Sequence, residues 1–139
     1  MIYVYNKKIE DFSNKPNHFN IGRPYVLQNP YTHLPIDKTK AIYKVATKED
    51  AIKAYDHYFD IMYRSNLRFK RVVDLIYEKY KSGEDVYLAC WCKRYPVNSE
   101  AYKNDTEITC HGDIIKQKLE KRLLKEKFDE MKNEKKSDV

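Results

Sequence analysis

Val86-Tyr87-Leu88-Ala89-Cys90-Trp91-Cys92 is a nearly unbroken apolar run of strand length, and its reading decides the fold. A strand without a polar face has to be covered on both sides, as helices cover the parallel strands of α/β proteins. Side chains alternate along an extended chain. Val86, Leu88, Cys90 and Cys92 are therefore expected on one face, and Tyr87, Ala89 and Trp91 on the other. Just before the run stands Gly83, a residue suited to the left-handed turn that ends a helix.

Working back from Gly83, Phe69, Val72, Val73, Ile76 and Tyr80 form a helical stripe that begins near Ser65. A second stripe, Ala51, Ile52, Tyr55, Tyr58, Phe59 and Met62, follows Thr47-Lys48-Glu49-Asp50, where Thr47 is a good N-cap with an acid three residues on. Ala41 to Ala46 favours a short strand, and the β-branched and aromatic Ile2-Tyr3-Val4-Tyr5 another. Between them, Glu10 to Asp37 carries Pro16, Pro24, Pro30 and Pro35, which leaves room only for a short strand near Phe19 to Gly22. A loop of that length usually has a job.

On the other side of the apolar run, Lys93 to Thr109 reads as a polar surface loop. A final helix opens near Cys110-His111-Gly112-Asp113 and carries Ile114, Ile115, Leu119, Leu123, Leu124, Phe128 and Met131. This order predicts one α/β domain over residues 1–131, with a small, mainly parallel, Rossmann-like sheet flanked by helices. Residues 132–139 are expected to form a polar, disordered tail. In such sheets ligands sit beyond the carboxyl ends of the strands, where Cys92 and the Cys110–Asp113 turn are expected.

The chain has 139 residues, enough for one hydrophobic core, and its 42% hydrophobic and 35% charged residues exclude wholesale disorder. No apolar run approaches the roughly eighteen residues of a membrane span, and the charges of Lys7 and Lys8 follow the first apolar stretch, unlike a signal peptide. A cytoplasmic location without a membrane partner is the expectation. Three cysteines in such a chain point to free thiols, a metal site or a reactive sulfur, not a disulfide framework. The net charge of +6 favours an anionic partner, although lysines in the final helix are interleaved with acids as on any solvated helix face. With 13 tyrosines, packing at the rim of the core is the ordinary use, and stacking on a base remains open.

Several groups carry chemistry. Gly22-Arg23-Pro24 sets a guanidinium between a flexible and a rigid residue, fit for bidentate contact with phosphate or carboxylate. Asn29-Pro30 is either a turn former or an amide that orients a ligand. At Cys110-His111-Gly112-Asp113 a helix start offers free N–H groups and a positive dipole end, suited to an anion or a thiolate. Cys110 is then a nucleophile beside His111 and Asp113, or the turn binds phosphate with Gly112 allowing close approach. The competing reading is a plain helix cap, with Cys110 packed as a small hydrophobe. Cys90, Cys92, Cys110 and His111 have the atoms for tetrahedral zinc, but their spacing differs from the usual Cys-x2-Cys pairs. His18, His33 and His57 read as surface or turn residues, and no P-loop or Gly-x-Gly-x-x-Gly fingerprint is present.

Ile21-Gly22-Arg23-Pro24, Leu27-Gln28-Asn29-Pro30-Tyr31, Leu88-Ala89-Cys90-Trp91-Cys92 and Cys110-His111-Gly112-Asp113 together resemble domain-of-unknown-function family 4326, found in bacteria and their phages. The resemblance spans roughly Ile2 to Leu124, with Gln28 where the family usually has Gly and a longer connection from Lys93 to Thr109. It implies a site and no particular reaction.

The function expected is that of a small intracellular protein, bacterial or phage-encoded, that binds or processes an anionic small molecule such as a nucleotide or nucleotide-sugar derivative. Gly22, Arg23, Asn29, Cys92 and Gly112 would hold the ligand, and Cys110, His111 and Asp113 would supply any nucleophile or acid–base step. The alternative is an interaction protein that binds host protein or nucleic acid, its Cys/His cluster structural or zinc-bound.

Overall fold

The computed structural model describes residues 1–34 and 42–137, with side chains through Asn133. In chain order the elements are β1 (Ile2–Asn6), β2 (His18–Asn20), β3 (Tyr31–Thr32), β4 (Tyr43–Lys44), α1 (Lys48–Ser65), α2 (Leu67–Lys81), β5 (Val86–Cys90), α3 (Glu100–Asn104) and α4 (His111–Ser137). The apolar run supplies the middle strand of a three-stranded sheet of order β1-β5-β2. Both neighbours run parallel to it, with Ile2 opposite Val86 and His18 opposite Tyr87. β3 and β4 form a separate parallel pair. The fold is therefore mixed α/β, a small parallel sheet flanked by helices in one compact domain, as the order of the sequence signals predicts.

The alternation along the strands sorts the core into two clusters. Ile2 and Val4 of β1 and Val86, Leu88 and Cys90 of β5 join Tyr55, Phe59, Phe69, Val73, Ile76, Ile115 and Leu119 of the helices. Each such aliphatic side chain contributes about 1.5–3 kcal/mol on burial, so this face is the main source of stability. The opposite face, expected to carry helices too, is covered by irregular chain and only one short helix. There Tyr5 and Ala89 pack with Val97, Phe12 and Tyr102, contributed by residues 7–17, the connection after β5 and α3.

Local signals set the helix ends. Thr47 caps α1 by accepting the Asp50 N–H at 3.1 Å, and Asn66 closes α1 and opens α2 by accepting the Phe69 N–H at 3.0 Å. α2 ends at Gly83, whose φ of 90° is left-handed.

Three expectations need correction. The apolar strand stops at Cys90, so Cys92 lies past its end: the Asn6 side-chain amide donates to the carbonyls of Trp91 and Lys93 at 3.2 and 3.0 Å and bends the chain away. The polar stretch from Lys93 to Thr109 contains α3, capped by Ser99, and its Tyr102 hydroxyl donates to the Val4 carbonyl at 3.0 Å while accepting the Val4 N–H at 3.1 Å. Finally, α4 runs on to Ser137 through the segment expected to be a disordered tail, because Lys and Glu are good helix formers even without burial. Residues 138–139, like residues 35–41 with the start of the expected Ala41–Ala46 strand, lie outside the described residues. Among the described residues no helix is long and apolar enough to cross a membrane.

Candidate functional site

At the carboxyl ends of the strands the chain opens into a cleft of about 420 Å³. Gly22 and Arg23 reach it from the turn after β2, Trp91 and Cys92 from the turn after β5, and Cys110 and His111 from the start of α4. Asn29, Tyr31 to Leu34, and Lys48, Ala51 and Ile52 of the first turn of α1 complete its lining. The early loop and the sulfur-and-imidazole corner thus share one hollow.

Arg23 sits in this cleft without a carboxylate partner among the described residues, and its Nη1 is closed off from solvent without a hydrogen-bond acceptor. Burial pulls its pKa down, which measures the cost of holding the cation there; the Cys92 thiol opposes the shift. The Arg23–Pro24 peptide bond is cis.

His111 is held from two sides. Its Nε2 donates to the Ile21 carbonyl at 2.6 Å, and its ring meets Tyr55 edge-on with centroids 4.9 Å apart. Tyr55 is itself fixed, donating its hydroxyl to the Leu27 carbonyl at 2.8 Å. Because a carbonyl only accepts, the proton of the neutral ring is on Nε2, and Nδ1 is left as the acceptor. Burial lowers the pKa to about 4, so the ring is neutral at pH 7. Below about 6.5 the unfolded chain takes up a proton at His111 that the folded chain refuses. Stability is therefore expected to fall as pH drops from 6.5 to about 4 and to level off below, and a His111→Gln variant should lack that slope. Urea titrations of both proteins across this range measure the difference; parallel slopes would refute it.

The two buried thiols form a pair, with Cys110 donating its S–H to Cys90 at 3.5 Å. Cys90 is the acidic member. It accepts that proton and the backbone N–H groups of Cys92 and Lys93, which lower its pKa to about 7 against the cost of burial. Cys110, whose proton is engaged by Cys90 and whose site is dry, is pushed up instead. Cys110, the expected nucleophile, is thus the thiol least ready to ionise, and Cys90, expected in the core or in a zinc set, is the more acidic of the pair. Cys92 is also shifted up by burial.

Two expected site residues do not reach the cleft. Gly112 is buried and faces the sheet: a Cβ built on it would stand 2.6 Å from Val4 Cγ1 and 2.8 Å from Ile21 Cδ1, so its missing side chain serves helix-to-sheet packing, not ligand approach. Asp113 points into a different hollow, ion-paired with Lys93 at 3.3 Å and accepting the Thr109 N–H at 2.9 Å. Asn29 borders the cleft, but its amide donates to the Ala51 carbonyl at 3.1 Å and accepts the Tyr31 N–H at 3.0 Å, a loop-fixing use. The set Cys90, Cys92, Cys110 and His111 is not grouped for a metal, since among the described residues no cluster of three or more such side chains has that arrangement.

Sequence reasoning missed Lys48 and set His33 aside as a surface residue, yet both line the cleft. Lys48 follows the Thr47 cap, and a cap motif marks where a helix start, with its positive end, will be presented. His18, expected at the surface or in a turn, lies in β2 with its Nε2 2.6 Å from the Tyr5 hydroxyl.

A family model described as a domain of unknown function (DUF4326) matches residues 4–121, most of the chain and all of the cleft. The protein belongs to this family. Among curated proteins and among solved structures, none matches it. The DUF4326 match spans both halves of the cleft, from the Arg23 turn to the Cys110–His111 helix start, so the hollow lies wholly within the family's domain.

Proposed function

We propose that the cleft binds an anionic small molecule of the nucleotide class, including nucleotide sugars, in the cytoplasm of a bacterium or of its phage-infected counterpart. One observation carries the reading: the buried Arg23 Nη1 has an unspent N–H, and no carboxylate of the described residues answers its charge. A buried donor without an acceptor is costly, and a phosphate in the cleft would remove that cost once the guanidinium turned Nη1 toward it. The first turns of α1 and α4 border the same space and add their positive ends. Tyr31, Leu34, Ile52 and Trp91 give it apolar walls for a ring, and its volume falls in the range of small-ligand sites.

Isothermal titration of the protein with nucleoside mono-, di- and triphosphates and nucleotide sugars tests this. At least one member is expected to bind, and Arg23→Ala to weaken it about tenfold or more, the loss of a charged hydrogen bond. No binding by any member, or equal binding by the variant, would overturn the proposal. The interaction-protein reading has one observation in its favour, the bare apolar stripe of Leu124, Phe128 and Met131 on the second half of α4. A panel without a binder would shift attention there.

A further inference from the structure

The mouth of the cleft carries an aromatic and cationic surface that the hollow itself does not use. Trp91 is 52% exposed and Tyr25 47% exposed, unusual for rings that could have been buried. The Lys7 ammonium lies over the Tyr25 ring, 5.6 Å from its centre, and over that of Trp91 at 5.4 Å, so the two rings are neighbours joined by one cation. Lys8 lies 5.7 Å from Trp91 on the same surface. Among the described residues neither lysine is ion-paired, whereas Arg94 nearby in sequence is bound to Glu107 at 2.6 Å. Tyr25 also lines a separate hollow with Arg68, which is likewise unpaired among the described residues. Trp91 also lines the cleft beside Gly22, so surface and cleft are continuous.

We infer that this surface binds single-stranded nucleic acid, its bases stacking on Trp91 and Tyr25 and its phosphates tracking Lys7, Lys8 and Arg68, with one nucleotide of the strand entering the cleft. Half-exposed rings under flexible, unpaired lysines suit a flexible polyanion with stacking bases, because the ammonium groups can swing onto phosphates as bases take their place over the rings. The chain's excess positive charge acts in the same direction. The inference rests on the cleft taking a nucleotide, and it names the form in which that nucleotide arrives.

Trp91 is the only tryptophan of the chain, so its fluorescence reports directly on stacking. Titration with an oligothymidylate of about eight nucleotides should quench it, and the oligonucleotide should bind about tenfold or more tightly than thymidine monophosphate. Affinity should fall steeply with salt. Lys7→Glu with Lys8→Glu should weaken the oligonucleotide about tenfold or more and leave the mononucleotide unchanged; the glutamine pair serves if charge reversal disturbs the fold. Mononucleotide binding without any gain for the oligonucleotide would overturn the strand surface and spare the cleft. Equal quenching by polyglutamate would overturn it too, since bases would then be irrelevant. Tight, salt-sensitive oligonucleotide binding without any mononucleotide binding would overturn the entry of a strand nucleotide into the cleft and leave stacking on the rim alone. Binding of neither discards both.

Discussion

Asp113→Ala is expected to destabilise the protein by about 3–5 kcal/mol, the cost of leaving a buried charge without its partner. Lys93 is only 6% exposed and Asp113 14%, so the ammonium would be left largely buried without its carboxylate. The carboxylate also accepts the Thr109 N–H, which would be orphaned by the same change. Lys93 directly follows Cys92, and Thr109 directly precedes Cys110, so this one carboxylate ties together the two segments that carry the thiols. Its role is positional. Equilibrium urea unfolding measures the loss, and Lys93→Met with Asp113→Leu should lose less than Asp113→Ala alone because no charge is stranded. A single variant within about 1 kcal/mol of the parent would contradict the account.

Gly112→Val should cost about 3 kcal/mol, the upper part of the range for overpacking a filled core. Even one carbon at this position would meet Val4 Cγ1 at 2.6 Å, and Val4 is β-branched and pinned in β1. The Cys110 Sγ would stand 3.3 Å from it as well. Helix α4 can relieve the contact only by moving its first turn outward, which carries Cys110 and His111 with it. Gly112→Ala should be milder, because alanine recovers up to about 1 kcal/mol of helix propensity. Combining Gly112→Ala with Val4→Ala should restore much of the space, so the pair should cost less than the sum of the singles. Thermal unfolding of the four proteins decides it, and additive losses would show that the contact is not the cause.

The parts of this protein legible in its sequence are those written in local chemistry. The apolar run around Leu88, the Thr47 cap, the stripes of α1 and α2 and the Gly83 turn each depend on neighbours within a few residues. Arg23, Cys110 and His111 could be brought to one hollow by topology alone, because parallel strands deliver their following turns to the same end. What stayed hidden depends on distant partners. Nothing near Cys92 in sequence says that the Asn6 amide will pull the chain out of the sheet after Cys90. Nothing near Asp113 says that Lys93 waits for it across the α3 segment. The acidity of Cys90 over Cys110 likewise arises from N–H groups and an S–H that only the folded chain assembles. Of the short strands, β2 and β4 fall at or near the stretches expected at Phe19 to Gly22 and Ala41 to Ala46, whereas β3, two residues long, shows no period and is defined by its pairing.

The Tyr102 hydroxyl, bonded to both backbone groups of Val4, has a bearing on how molecules of this protein meet one another. β1 is an outer strand, and the N–H and C=O of its middle residue would otherwise offer a template on which another polypeptide could add itself. With one phenol occupying donor and acceptor together, that rim is closed to sheet extension, and growth into fibrils along it is blocked at the centre.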